Sequence, residues 1–529
     1  MQNIWMLPCF TPEHLLGNRI VMDTISAIIA AAPAENTALA ATADSDFSQE
    51  PLTYGRLAER IAETTAQFRQ IGIARGDRVA IVLPNGAEMA SAFLAVAASC
   101  SAAPLNPAYR GEEFRFYLED LKARAIILMR DVETPAEAVA TALNIPVLWL
   151  EKTETAGDFR LDCSAGHGAE PAADGPAEAQ DEALVLHTSG TTSRPKVVPL
   201  SGANITRSAC NIRDTLKLTM ADCGLNIMPM FHIHGLIASL LSSMAAGGQV
   251  VCSPGFNALK IFSWFEQVKP SWYTGVPTMH QAIISRAGRN SAIIESLNLR
   301  FVRSSSSSLP PPVMEEVEQV FGCPVIEAYG MTEAAHQMAS NPLPPAQRKP
   351  GSVGIAAGPE IRILDQNGNA VADGGTGEIC IRGANVFAGY ENNPDANAEA
   401  FHGPWFRTGD QGFVDTEGYL TISGRLKEII NRGGEKIAPR EVDDVIQAHP
   451  AVAQIVCFAM PHPKLGEEVA AVVVLQEGMT ATEAELKAFA AEKLADFKIP
   501  RSIHFMDEIP KGATGKLQRI GLAEKLGLC

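Results

Sequence analysis

The chain has 529 residues, 46% of them hydrophobic and 19% charged, which is ordinary for a globular protein and too long for a single hydrophobic core. Its formal net charge of −17 excludes wholesale binding to nucleic acid or to anionic membrane, so an anionic ligand must be held by a local cluster of donors. Ten cysteines stand singly with no CxxC pair, which excludes a disulfide framework and a structural zinc and fits a reducing, cytoplasmic setting.

In chain order, residues 1–21 lack periodicity and are read as an extension; no cleavage-site pattern marks them as a signal peptide. RVAIVLP (78–84) and ARAIILM (123–129) read as short strands, and AEMASAFLAVAASC (87–100) as a helix at 3.6-residue spacing. Alternation of this type predicts a largely parallel α/β sheet. The segment 153–183, rich in Ala, Gly, Asp and Glu, is expected to be a surface loop or linker. LVLH (184–187) resumes a strand, so HTSGTTSRPKVVPL (187–200) sits at a strand's C-terminal end, where open α/β sheets place ligands. LIASLLSSMAAGGQVV (236–251) is apolar but carries serines, glycines and a glutamine, and reads as buried core rather than a bilayer span. After about residue 355, EIRILDQNGN, GEICIRG and GYLTISG suggest a small β-rich subdomain. SGRLK (423–427) is the candidate linker, and a new α/β unit begins with KEIINRGGEKIAPREVDDVIQAHP.

The loop at 188–196 is the first chemical signal. Ser189, Thr191 and Thr192 surround Gly190, so backbone N–H and hydroxyl groups can converge on one anion, and Lys196 adds a mobile charge. No GxxxxGK[ST] pattern fits, so it is not a Walker A loop; taken alone it could equally be a solvated turn. Farther on, YGMTE (329–333) places a hydroxyl beside a carboxylate, a pairing suited to a phosphate oxygen and Mg²⁺. WFRTGD (405–410) offers Asp410 to ribose hydroxyls, GRLKEIINRGGEKI (424–437) sets Arg425 and Lys427 before a Gly433–Gly434 turn, and PKGATGKLQR (510–519) presents Lys516.

This ordered set resembles the adenylate-forming superfamily of acyl-CoA synthetases, peptide-synthetase adenylation domains and luciferases, over about residues 22–522. The resemblance implies an α/β, adenylate-forming enzyme fold. A large N-terminal domain (22–424) would combine two α/β subdomains with a β-barrel-like subdomain, and a small mobile C-terminal α+β domain (428–529) would cap it. It further implies that Thr188, Ser189, Gly190, Thr191, Thr192 and Lys196 hold the outer phosphates of ATP. Thr332 would meet the α-phosphate, Glu333 would hold Mg²⁺, Asp410 and Arg425 would grip the ribose, and Ala328 and Tyr329 would line the adenine site. Lys516 would reach between carboxylate and α-phosphate, where a fixed cation stabilises the charge that builds in the transition state. Lys427 would be the hinge that withdraws Lys516 and brings Gly433 and Gly434 to the CoA channel. The implied reaction joins a small carboxylic acid to CoA through an acyl-adenylate, with ATP, Mg²⁺ and CoA as ligands and neither nucleic acid nor membrane as partner.

The family's loop usually continues Lys-Gly, whereas Val197 follows Lys196 here. A positive φ at 197 would strain the loop and slow turnover; a negative φ would make the change nearly neutral. The acyl pocket is expected from FHIHGL (231–236), RSSSSSL (303–309) and MTEAAHQM (331–338). His232, His234, His336 and the serines, Ser305 and Ser306 among them, could offset the cost of burying a second carboxylate. His232 has a second reading as a gate of the CoA channel. These segments, with Ser193, EAYGMTEAAHQMASNPLP and INRGGEKIAPREVD, resemble the oxalate–CoA ligase group, which implies conversion of oxalate, ATP and CoA to oxalyl-CoA, AMP and diphosphate. The alternatives are a ligase for another short-chain, dicarboxylic or aromatic acid, an enzyme that loads a carrier protein, and a weakened nucleotide-binding protein.

Overall fold

A computed structural model describes residues 22–42, 49–166, 170–188, 195–511 and 516–528. The loop positions Ser189, Gly190, Thr191 and Thr192, and the extension 1–21, lie outside the described residues.

Strands buried on both faces read as continuous apolar runs, and such runs form parallel sheets covered by helices. Arg78–Val82, Ser101–Pro104, Ala125–Met129 and Val147–Lys152 pair in parallel as the centre of a seven-stranded sheet. The sheet continues through β1 (Glu182–His187) to an antiparallel edge strand, β2 (Val197–Ser201). The segment 153–183 is more than a loop. Phe159–Asp162 pairs with Val147–Lys152 and closes the sheet's other edge, with Phe159 and Leu161 buried. Only those two alternating apolar residues signalled the strand, too short a period to stand out of an Ala/Gly/Glu background.

The second sheet has ten strands. Its parallel centre includes Cys223–Asn226, β3 (Trp272–Gly275), β4 (Phe301–Ser304) and β5 (Val325–Met331), and β6 (His336–Ser340) returns antiparallel along β5. The window 236–251 is core as expected: a π-helical segment from His234 to Leu241, a short α-helix and the strand Gln249–Cys252, nearly all buried. Among the described residues, no helix is long and apolar enough to cross a membrane.

A five-stranded antiparallel sheet follows, in which β7 (Trp405–Val414) pairs with β8 (Leu420–Arg425). The turn Leu426–Glu428 then leads into a separate α/β unit with its own core of Ile430, Val442, Ile446, Val469 and Leu486. Its helix α1 (Pro439–Gln447) buries Val442 and Ile446, one turn apart, against the strand Val452–His462. Gln281 Nε2 donates to the Ala453 carbonyl at 3.1 Å, a direct contact between this unit and the larger one.

Candidate active site

The base of the hydroxyl-rich loop is closed by two hydrogen bonds. Thr188 N donates to the Lys196 carbonyl at 2.9 Å, and Lys196 N donates to Thr188 Oγ1 at 3.2 Å. Val197 is the first residue of β2, paired with His187, and it is not among the residues with positive φ. Its side chain is buried with Val82, Ala103 and Val185. A β-branched residue suits that extended, buried position, so nothing in the backbone asks for glycine.

Lys196 reaches inward, its Nζ 4.4 Å from the centre of the Tyr390 ring. The same tyrosine's hydroxyl donates to Glu333 Oε1 at 2.9 Å, so one side chain touches both the loop lysine and the carboxylate. Burial pushes the Glu333 carboxyl above its usual range, while Tyr390, Arg425 and Lys196 oppose that shift. Thr332 and Glu333 occupy the single turn between β5 and β6. That turn is tight because Gly330 packs on its partner strand: a Cβ there would lie 1.9 Å from the His336 carbonyl oxygen. Asn385 Nδ2 fixes the turn from outside, donating to the carbonyls of Ala334 at 2.8 Å and Gln337 at 2.9 Å. His336 then follows with φ +100°, a backbone that costs about 1–3 kcal/mol for a residue with a Cβ. Strain of this size persists where the surroundings over-determine the conformation.

Opposite lies Asp410 on β7, 5% exposed. It accepts the hydroxyl of Tyr329 and, at 2.9 Å, Arg425 Nε from the paired position on β8. Ala328 and Tyr329 are buried beside it on β5. Lys516 comes from the small unit, carried by a hairpin-like tail in which Lys511 bridges Leu517 and Gln518 N donates to the Pro510 carbonyl at 3.0 Å. Arg519 anchors that tail to Glu428 at 3.1 Å and to Asp443 of α1 at 2.6 Å. Burial, and after it the Arg425 charge, bring the Lys516 ammonium down to about 8 against the opposing pull of Asp410. The tail lysine therefore lies in the electrostatic field of the Asp410–Arg425 pair.

The charge of Lys516 also reaches His232, His234 and His336. Burial is the larger cause at each; with these charges it brings His232 down to about 3 and holds the other two well below the usual imidazole value, so all are neutral near pH 7. His234 opens the π-helical segment, a geometry often found at functional sites. The turn before it needs Gly235, where a Cβ would lie 2.3 Å from the Pro229 carbonyl oxygen. His234 Nδ1 is 2.9 Å from Ser306 Oγ, its Nε2 is 2.7 Å from Thr274 Oγ1, and its ring centre is 5.1 Å from that of His336. Ser305 takes a different part: its hydroxyl donates to the Ala328 carbonyl at 2.9 Å and ties β4 to β5.

The structure thus gathers Lys196, Ala328, Tyr329, Thr332, Glu333, Asp410, Arg425, Lys516, His232, His234, His336 and Ser306 about one cleft. Lys427 stands exposed in the turn joining the two units. Gly433 and Gly434 form an exposed hairpin turn on the small unit, whose Gly433 N donates to the Leu465 carbonyl at 2.9 Å. Among the described residues, no group of three or more His, Cys, Asp or Glu side chains could hold a metal ion. Glu333, buried and hydrogen-bonded to Tyr390, is a carboxylate that fits Mg²⁺, an ion commonly held by one carboxylate and a ligand's phosphates.

Comparison with known proteins places the chain in a family. Residues 28–391 match the AMP-binding enzyme family, and residues 441–516 match the AMP-binding enzyme C-terminal domain. A protein of Arabidopsis thaliana named oxalate–CoA ligase is 44% identical over 474 residues, covering 88% of this chain and 92% of that one. The Saccharomyces cerevisiae protein of the same name is 42% identical, covering 85% and 87%. The ATP-bound crystal structure of MatB from Rhodopseudomonas palustris superposes with a TM-score of 0.84 at 29% identity, over 96% of this chain and 99% of that one.

Proposed function

This chain belongs to the AMP-binding enzyme family as an AMP-forming acyl-CoA synthetase, and on that premise we propose that the acid it activates is oxalate. ATP and CoA are the other substrates. The observation that carries the proposal is a pair of buried imidazoles, His234 and His336, with ring centres 5.1 Å apart and His234 hydrogen-bonded to Ser306 and Thr274, on which the charge of Lys516 also bears. A pocket walled by neutral imidazoles and hydroxyls is costly to keep for an apolar acyl chain and suits a small acid with polar groups at both ends.

In the first half-reaction a carboxylate oxygen of oxalate attacks the α-phosphorus of ATP, and diphosphate leaves with the bonding pair. Asp410 and Arg425 hold the ribose, Thr332 donates to the α-phosphate, and Lys196 meets the outer phosphates. Lys516 lies between the two anions that must approach each other, offsetting their repulsion and the charge that grows on phosphorus-bound oxygen. Glu333 is the residue that would hold Mg²⁺, which when bound would supply further neutralisation of phosphate charge. In the second half-reaction the CoA thiol loses its proton, sulfur bonds the acyl carbon, and AMP leaves with the C–O bonding pair. The small unit turns about Lys427 between the halves, exchanging Lys516 for the Gly433–Gly434 turn, while His232 guards the thiol's entry.

The test is CoA-dependent AMP release with oxalate, malonate, acetate and coumarate compared at equal concentration. The expected result is a kcat/KM for oxalate about 10- to 200-fold above that for malonate, the discrimination one methylene allows, and a larger margin over the monoacids. Preference for acetate or coumarate would refute the assignment of oxalate.

A further inference from the structure

Arg303 lies within β4, in the middle of the ten-stranded sheet, with β3 on one side and β5 on the other. It is 0% exposed. Its Nη1 is 3.5 Å from Thr274 Oγ1, at the long limit for a hydrogen bond, and its Nε and Nη2 have no partner among the described residues. Among the described residues no carboxylate acts on it: burial lowers its guanidinium to about 9, so it remains charged near pH 7. On the same face of the sheet a ring nitrogen shares the condition, because His336 Nδ1 is also buried without a partner.

A buried cation left unpaired is among the costlier features a fold can carry, and buried charges are ordinarily paired. Here the cost falls at the C-terminal end of parallel strands, where α/β sheets bind ligands, and against the histidines of the acid pocket. Arg303's charge bears on both His234 and His336, as does that of Lys516. Those imidazoles are neutral, so they can donate or accept but bring no net charge. The cleft therefore has positive groups on two sides of the histidine pair, Lys516 toward the Asp410–Arg425 pair and Arg303 within the sheet.

Resting on the reading of the cleft as an acid–CoA ligase site, we propose that Arg303 is the anchor for the second carboxylate of a short dianionic acid, and hence the residue that selects diacids over monoacids. One carboxylate meets the guanidinium, with Nε and Nη2 as a two-pronged donor and the neutral His336 ring on the same side. The other carboxylate stays free to attack phosphorus beside Lys516. Because Arg303 stands on a central strand rather than a loop, the distance between the anchor and the reacting end is fixed, which favours the shortest diacids. Thr274 Oγ1, 2.7 Å from His234 Nε2 and 3.5 Å from Arg303 Nη1, places the guanidinium on the same face of the sheet as the histidine.

The test uses Arg303→Met and Arg303→Lys in the full-length protein, with oxalate and with oxamate, in which an uncharged amide replaces the second carboxylate. Arg303→Met is expected to lower kcat/KM for oxalate by at least about 100-fold. Oxamate turnover should be unchanged or higher, and the KM for ATP should move less than about threefold. Arg303→Lys should recover part of the oxalate activity, as a point charge without the fork. The ligand-free Arg303→Met protein should melt at the same or a higher temperature, because an unpaired buried charge has been removed. Equal loss with oxalate and oxamate, a clear fall in melting temperature, or undiminished oxalate turnover would each overturn the proposal. A wild-type enzyme that ignores oxalate but takes malonate or sulfoacetate would refute the oxalate reading alone. Selective loss of that diacid in Arg303→Met would still support the anchor.

Discussion

Replacing Lys516 with alanine abolishes formation of the acyl-adenylate, a loss of about 100- to 1,000-fold or more in oxalate-dependent exchange of diphosphate into ATP. The same variant converts supplied oxalyl-adenylate and CoA to the thioester at close to the wild-type rate. The asymmetry follows from where the lysine sits. Its tail belongs to the small unit, tied to Glu428 and Asp443 through Arg519, yet its ammonium lies in the field of Asp410 and Arg425 on the large one. On the proposed rotation of the small unit, a group it carries serves only the half-reaction for which that unit is in place. Its lowered value adds a pH signature. The competent form is the cation, and with the ammonium brought down to about 8 that form is lost as pH rises through 8. In the ligand-free enzyme, kcat/KM for adenylation should accordingly fall above about pH 8. Lys516→Arg should hold that limb flat whatever its absolute rate, since arginine does not titrate there. Equal loss of both half-reactions in Lys516→Ala would contradict the assignment of the lysine to adenylation.

Asp410→Ala gives the opposite pattern, with both half-reactions weakened together. AMP remains in the cleft from the first step to the last, so whatever holds its ribose serves both. Asp410 is held by the Tyr329 hydroxyl and by Arg425 Nε, and it is nearly buried. Removing it costs the nucleotide its acceptor and also leaves Tyr329 and Arg425 without their shared partner. The KM for ATP and the Kd for AMP should each rise about 100-fold, in line with losing a charge-assisted pair of hydrogen bonds. The effect on folding should be smaller, because Arg425 keeps half of its side chain in water and recovers solvation there. Asp410→Asn separates the contributions: it can still accept one hydrogen bond, and it should fall between wild type and alanine.

The alternation of apolar runs and helical periods placed the parallel sheets correctly, because strands buried on both faces have few ways to read. Val197 shows where sequence stops. Whether a valine after Lys196 strains the loop depends on one dihedral, and only the pairing with His187 decides it. Phe159 and Leu161 were hidden by composition, since two alternating residues in an Ala/Gly/Glu segment carry too short a period to register. In the cleft, the motif residues were legible because each has a chemical type that few other roles require together. Ser305 and Ser306 could not be told apart in a run of five, and hydrogen-bond partners separate them: one serves the backbone of Ala328, the other His234. Arg303 and Tyr390 were missed. The signal for Arg303 was a charged residue inside an otherwise apolar strand, FVRS, and it becomes meaningful only once the structure leaves its donors unfilled. Tyr390 follows a turn in GYENN, and nothing local says that it will meet Lys196 with its ring and Glu333 with its hydroxyl.

A crystal structure of the full-length protein with a non-hydrolysable oxalyl-adenylate analogue tests the account most directly. The expected density has the ribose on Asp410, the phosphate within hydrogen-bond reach of Thr332, Lys516 directed at the junction of acid and phosphate, and the free carboxylate on Arg303. An adenylate lodged away from the Asp410–Arg425 pair, with Lys516 turned toward solvent, would contradict it.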